Sequence, residues 1–121
     1  MILLDELKAE MPELNNMLTE AEQALDPEGM KAKLSELDQQ VLAQGFWDDQ
    51  EQAQKVMKEK KTLEDRLAEL DGLAERLEDL EVMIEMAEES ESGGDAEGAE
   101  LLAEEAKETK EALNKDLKTS S

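Results

Sequence analysis

Apolar positions recur at steps of three and four from the start of the chain. Leu4, Leu7, Met11, Leu14, Leu18, Ala21 and Leu25 form a clean stripe along one helix face. Pro12 lies within it, lacks the amide that would bond residue 8 and crowds that residue's carbonyl, which predicts a kink or a helix restarting there. A second stripe, Met30, Leu34, Leu37 and Val41, defines helix two. Asp26 supplies its cap, Pro27 its first helical residue and Glu28 an acid in the first turn, while Gly45 ends it where a left-handed residue costs least. The short link between the two stripes predicts that helices one and two run antiparallel.

Helix three is the long one. Ala53, Val56, Lys60, Leu63, Leu67 and Leu70 hold one heptad register, and Leu73, Leu77, Leu80, Ile84 and Ala87 continue in a register displaced by three residues. A helix of about 40 residues is roughly 60 Å long. The shift near Gly72 predicts a change of partner, with helices one and two covering the first half and another helix the second. Ser90-Glu91-Ser92-Gly93-Gly94-Asp95 is a loop signal, and Asp95 is placed to cap the next helix. Helix four carries a weaker stripe of Ala99, Leu102, Ala106, Thr109, Leu113 and Leu117, with Lys107, Lys110, Lys115 and Lys118 gathered toward its end, where cations suit the helix dipole. The pattern predicts an all-α fold: an elongated, coiled-coil-like antiparallel bundle of about four helices built on one long helix. It forms a single domain over 1–121, with helices at about 2–24, 27–44, 49–89 and 95–118.

The stretch Gly45-Phe46-Trp47-Asp48-Asp49-Gln50-Glu51 holds the only phenylalanine and the only tryptophan. Asp48 and Glu51, three apart, read as a capping box for helix three. The aromatic pair just outside it is expected to close over neighbouring helices, with Trp47 at least half buried and its exchange for alanine costing about 3 to 5 kcal/mol. Asp26, Pro27, Phe46, Trp47, Asp48 and Glu51 are thus the positions expected to organise the fold, in structural roles. The methionines at 11, 17, 30, 57, 83 and 86 fall on or near the stripes and read as core filling rather than as a Met-rich binding face.

Charge changes the picture of partners. The chain has 34 acidic and 13 basic residues, a net charge of −21, and so repels nucleic acid backbones. Leu, Ile, Val and Phe make up only 25 of 121 residues, near the level at which a highly charged chain stays disordered, but Ala, Glu, Lys, Leu and Arg make up 70, and the helical repeat decides for long helices. Between Arg76 and Lys107 lie 12 acidic residues and no basic one, so the tip between helices three and four is expected to be the most electronegative part of the molecule, its carboxylates uncompensated.

No active site is visible. The chain has neither cysteine nor histidine, which removes thiolate and imidazole chemistry, and its many carboxylate pairs are expected as solvated helix faces because a raised carboxylate pKa needs apolar enclosure. Asp48, Asp49 and Glu51 lack the spacing and central glycine of a calcium loop. No metal, cofactor or catalytic residue is expected, and the chain is read as not an enzyme. Apolar runs of a few residues exclude a membrane span, and the start lacks a signal peptide's features, so a cytoplasmic location is expected.

Phe46-Trp47-Asp48-Asp49, with Ala53-Gln54-Lys55-Val56 behind it and Leu25-Asp26-Pro27-Glu28 ahead, resembles the amino-terminal helical domain of bacterial class I peptide chain release factors, the release factor two branch in particular. The resemblance covers essentially the whole chain and only the first of that family's domains. It implies a peripheral role at the ribosome, near the stalk-base protein of the large subunit and in contact with the GTPase release factor, without direct binding of nucleic acid. The family's hydrolytic Gly-Gly-Gln tripeptide has only Gly93-Gly94-Asp95 as an echo, in a hairpin loop, and its codon-reading Ser-Pro-Phe is absent. The chain is therefore expected to be an isolated or truncated domain. Two other readings of the same helices are a freestanding coiled-coil chaperone or adaptor, which would need exposed apolar tips, and an acidic mimic of nucleic acid, which would need phosphate-like spacing of its acids.

Overall fold

The computed structural model describes residues 1–120, and among them there is no strand. Four α-helices occur in order: α1 (Ile2–Leu25), α2 (Pro27–Leu42), α3 (Gln50–Ser92) and α4 (Ala96–Ser120), with a single 3-10 turn at Phe46–Asp48. The chain divides into two compact units, Met1–Ala21 together with the chain from Gly72 onward, and Glu22–Asp71. The division falls at the glycine where the stripe of α3 changes register.

In the first unit three helical segments enclose a continuous apolar core. Leu4, Leu7, Leu14, Leu18 and Ala21 come from α1, Leu73, Leu77, Leu80, Ile84 and Ala87 from α3, and Ala99, Ala103, Ala106, Leu113 and Leu117 from α4, all buried. Alanines on the early turns of α4 leave room for larger side chains opposite. Ion pairs fix the directions. The Met1 ammonium meets Glu91 at 3.0 Å and Lys8 meets Glu88 at 3.3 Å, so α1 runs against α3. Arg76 and Asp116, 2.8 Å apart, set α4 against α3, and Lys110 pairs with Glu10 across α4 and α1. Such partly exposed pairs contribute at most about 1 kcal/mol each, so they select register while the apolar layer supplies the stability.

The turn from α3 to α4 is closed by backbone bonds. The Gly94 amide reaches the Glu91 carbonyl at 3.2 Å and the Asp95 amide the Ser90 carbonyl at 2.9 Å, with Gly94 left-handed at φ 84: a Schellman motif. Asp95 then caps α4, its carboxylate accepting the Gly98 amide at 2.9 Å. A Cβ at Gly98 would collide with that carboxylate, so the glycine is part of the cap. The tip's acids are not all uncompensated, as the sequence suggested. Glu88 and Glu91 take their cations from α1, which linear charge counting cannot see.

In the second unit α2 packs against the first half of α3. Met30, Leu37, Ala53, Val56 and Leu70 are buried, but Leu34, Val41, Leu63 and Leu67 are only half-buried, as expected where two helices alone cannot enclose a stripe. Asp38 and Lys60 meet at 2.8 Å across the pair. The hydrogen bond that Lys60 donates to Asp38 holds its ammonium above the ordinary lysine range; desolvation opposes it, and the charges of Asp38 and Glu64 add to it.

Several expectations do not hold in the structure. Asp26 alone separates α1 from α2; its amide bonds the Glu22 carbonyl and its own carbonyl takes the Met30 amide, both at 3.0 Å. The two helices each run against α3 within their own unit, α1 with the second half and α2 with the first. Of the kink or restart expected at Pro12, the restart does not occur, since the proline lies inside an unbroken α1. Trp47 is 57% exposed rather than half buried, and of the methionines on the stripes only Met30 is buried.

Exposure lowers the expected cost of Trp47→Ala to about 1 kcal/mol, the scale of one aromatic pair, and thermal melting checks it. Gly72 sits in mid-helix with open space where a side chain would go. Gly72→Ala should therefore stabilise the chain by up to about 1 kcal/mol in chemical denaturation. Because Lys60 has a raised pKa, its contribution is full below the unfolded lysine value and is lost as pH rises through the higher folded one. The melting-temperature gap between the native chain and Lys60→Met should thus persist at neutral pH and close in the alkaline range above the ordinary lysine value, where no tyrosine or cysteine titrates to confuse the reading.

Candidate functional site

The link between α2 and α3 gathers the chemistry that the cores leave out. α2 stops at Leu42, Ala43 turns extended, and Gly45 at φ 84 admits the left-handed step that reverses the chain. The amides of Phe46 and Asp48 bond the carbonyls of Ala43 and Gly45 at 3.2 and 3.1 Å, winding residues 46–48 into the 3-10 turn. That turn uses up Asp48. Helix α3 begins one residue later than the sequence suggested, with Asp49 extended and its carboxylate accepting the Gln52 amide at 3.1 Å. Asp49 is therefore the cap; Asp48 closes the 3-10 turn, and Glu51 does not reach back to it. Asp26 does cap α2, accepting the Gly29 amide at 3.2 Å from a left-handed backbone at φ 52, with Pro27 as the first helical residue.

Phe46 and Trp47 stack edge to face, ring centroids 4.9 Å apart and planes at 88°. Phe46 is half-buried against the indole, and Trp47 lines a hollow of about 500 Å³ together with Gln50, Ala53, Gln54 and Met57. Four of these, Gln50, Ala53, Gln54 and Met57, share one face of α3 at the edge of its core stripe, to which the buried Ala53 belongs. Ala53 is buried at the floor, and Met57, 40% exposed, forms the far wall. The sequence pointed to the aromatic pair but not to the hollow, because the two-helix unit offers no third helix to cover it.

The structure brings together no catalytic constellation among the predicted positions. Among the described residues no polar or charged side chain is buried and no cluster of carboxylates has the arrangement to hold a metal ion. A second hollow of about 400 Å³ is lined by Glu85, Glu88, Glu89 and Ser92, on the acidic end of α3. No helix among the described residues is long and apolar enough to cross a membrane.

Comparison with known proteins places this helical arrangement. The family model for the PCRF domain matches residues 30–120. A peptide chain release factor 2 of Mycobacterium sp. (strain KMS) is 41% identical over 102 residues, covering 83% of this chain and 27% of that protein. The peptide chain release factor 2 of Corynebacterium aurimucosum is 39% identical over 108 residues, 89% of this chain and 28% of that protein. That of Mycolicibacterium smegmatis is 34% identical over 100 residues, 83% of this chain and 27% of that protein. The chain thus spans just over a quarter of the length of the curated relatives it matches. No solved structure matches it. The match over residues 30–120 takes in α2 from Met30 on, the aromatic turn, and all of α3 and α4, and the chain belongs to the PCRF domain family.

Proposed function

We propose that this chain is a peripheral protein-interaction domain of a translation termination factor of the release factor two type, acting at the ribosome in the cytoplasm. The observation that carries the reading is the family match over residues 30–120, together with relatives named peptide chain release factor 2. Its partners in this reading are the stalk-base protein of the large subunit and the GTPase release factor. Its part is contact rather than catalysis: these residues hold no Gly-Gly-Gln and no Ser-Pro-Phe, and they offer no histidine or cysteine to build a nucleophile and base. A charge of −21 favours basic protein surfaces over RNA, with attraction that sets the association rate and fades as salt screens it.

The test is a titration of the labelled chain against ribosomes, stalk-base protein and GTPase release factor at two salt concentrations, with the chain also added to a peptidyl-tRNA release assay. Binding to protein that weakens with salt, without peptide release, is expected. Stop-codon-dependent release by these residues alone, or tight binding to naked RNA, would overturn the reading.

A further inference from the structure

The two units differ in how completely each is held together. The first encloses its stripe from all sides, with Leu7, Leu80, Leu113 and Leu117 at most 1% exposed. The second buries Met30, Leu37, Ala53, Val56 and Leu70, but Leu34, Val41, Leu63 and Leu67 keep part of their surface in water. Ion pairs repeat the contrast. In the first unit Met1 with Glu91, Lys8 with Glu88, Arg76 with Asp116 and Lys110 with Glu10 each tie one helical segment to another. In the second, Lys60 with Asp38 joins α3 to α2, whereas Lys31 with Glu28, Lys33 with Glu36 and Lys61 with Asp65 lie within a single helix and oppose no separation of the two. Asp26, left-handed at φ 52, adds backbone strain to the second unit that opening releases.

The chain passes from one unit to the other at two places, and at both a helix can end. Beyond the buried Ala21, Glu22, Gln23 and Ala24 are all exposed. In α3 the exposed Asp71 precedes Gly72, where a side chain would meet no atom within 4 Å and where glycine weakens the helix most. Within the first unit α1 runs against α3, Met1 by Glu91 and Lys8 by Glu88, so Ala21 and Gly72 lie toward the same end of it. The residues between them can therefore loosen as a closed loop, whose entropic cost rises only with the logarithm of its length.

We infer that Glu22–Asp71 opens and closes as one cooperative unit while Met1–Ala21 and the chain from Gly72 onward keep their fold. The free energy of a local opening follows the apolar contact it breaks, and the second unit has less to break. The fold thereby contains a conformational control point. Anything that binds only the closed form of the second unit shifts its opening by mass action, so occupancy of the unit that bears the aromatic turn is converted into order. The inference names no partner and stands or falls apart from the proposed function.

Hydrogen exchange of the full chain, resolved by residue across a denaturant series, tests it. The amides of Leu37 and Val56 should exchange at least about a hundredfold faster than those of Leu80 and Leu113, with a shallower denaturant dependence because less surface is exposed in the opening. Ile84→Val, a small deletion in the first core, weakens the closed and the partly open chain alike. It should speed exchange at Leu80 and Leu113 by about fivefold and leave Leu37 and Val56 unchanged. Leu37→Pro, which breaks α2, should leave the Leu80 and Leu113 amides protected. One common rate and denaturant slope for all four amides overturns the inference, as does an equal response of all four to Ile84→Val, or loss of protection at Leu80 and Leu113 in Leu37→Pro.

Discussion

The structure depends on covering the stripe of one helix. At 43 residues α3 is far longer than its neighbours, and a helix this charged gains too little from propensity alone to persist in water. Its apolar residues need partners along the whole length, and the chain provides them in two sets. Past Gly72, α1 and α4 bury Leu73, Leu77, Leu80, Ile84 and Ala87 completely; before it, α2 leaves Leu63 and Leu67 half open. The register displacement of three residues is the sequence's record of that change, because a stripe that serves two different partners must rotate between them. The same arithmetic explains the exposed hollow. Where three helical segments meet the core is closed, and where two meet a side is left for something else.

The stripes themselves were legible in the sequence, as was a change of partner near Gly72, because periodicity reports burial directly; the assignment of helix one to the first half of α3 was not correct, since Met1–Ala21 falls in the unit with the second half. Caps were legible where the spelling was unambiguous. Asp26-Pro27-Glu28-Gly29 and Asp95-Ala96-Glu97-Gly98 share a pattern in which the aspartate caps and the glycine three residues on makes room for its carboxylate. At the start of α3 the spelling is ambiguous. Asp48 and Asp49 each have a suitable partner three residues later, Glu51 or Gln52, and only the 3-10 turn, which no local pattern announces, decides for Asp49. Two further differences share a cause. The stripes read helix one as covering the first half of α3, where it packs with the second, and an aromatic pair reads as core; both are questions of how segments distant in sequence meet, which local spacing does not encode.

The compensated acids of the tip make the same point in charge. Twelve acidic residues in a row without a base read as a uniformly repulsive hairpin, yet the start of α1 supplies the Met1 ammonium and Lys8 to Glu91 and Glu88. These pairs are exposed and weak one by one. Their effect is to make the correct register of α1 the one that lowers repulsion, so a sequence short of large apolar residues uses charge to choose among helix alignments that hydrophobic matching alone would leave close in energy.

Under the proposed function, charge also separates two tasks that a contact domain must perform. The first unit, with 21 acidic against 6 basic residues, dominates the long-range field and would draw the molecule toward basic surfaces from beyond contact distance. A field of one sign brings speed but little discrimination, because any basic surface answers it. Discrimination needs short-range features that a wrong partner cannot satisfy. The exposed indole of Trp47, stacked on Phe46 beside a hollow at the turn into α3, is such a feature, in the unit that carries the smaller share of the net charge. An aromatic already held in place loses little entropy on binding, so its exposure in the free chain is a modest cost to folding that contact with a partner would offset.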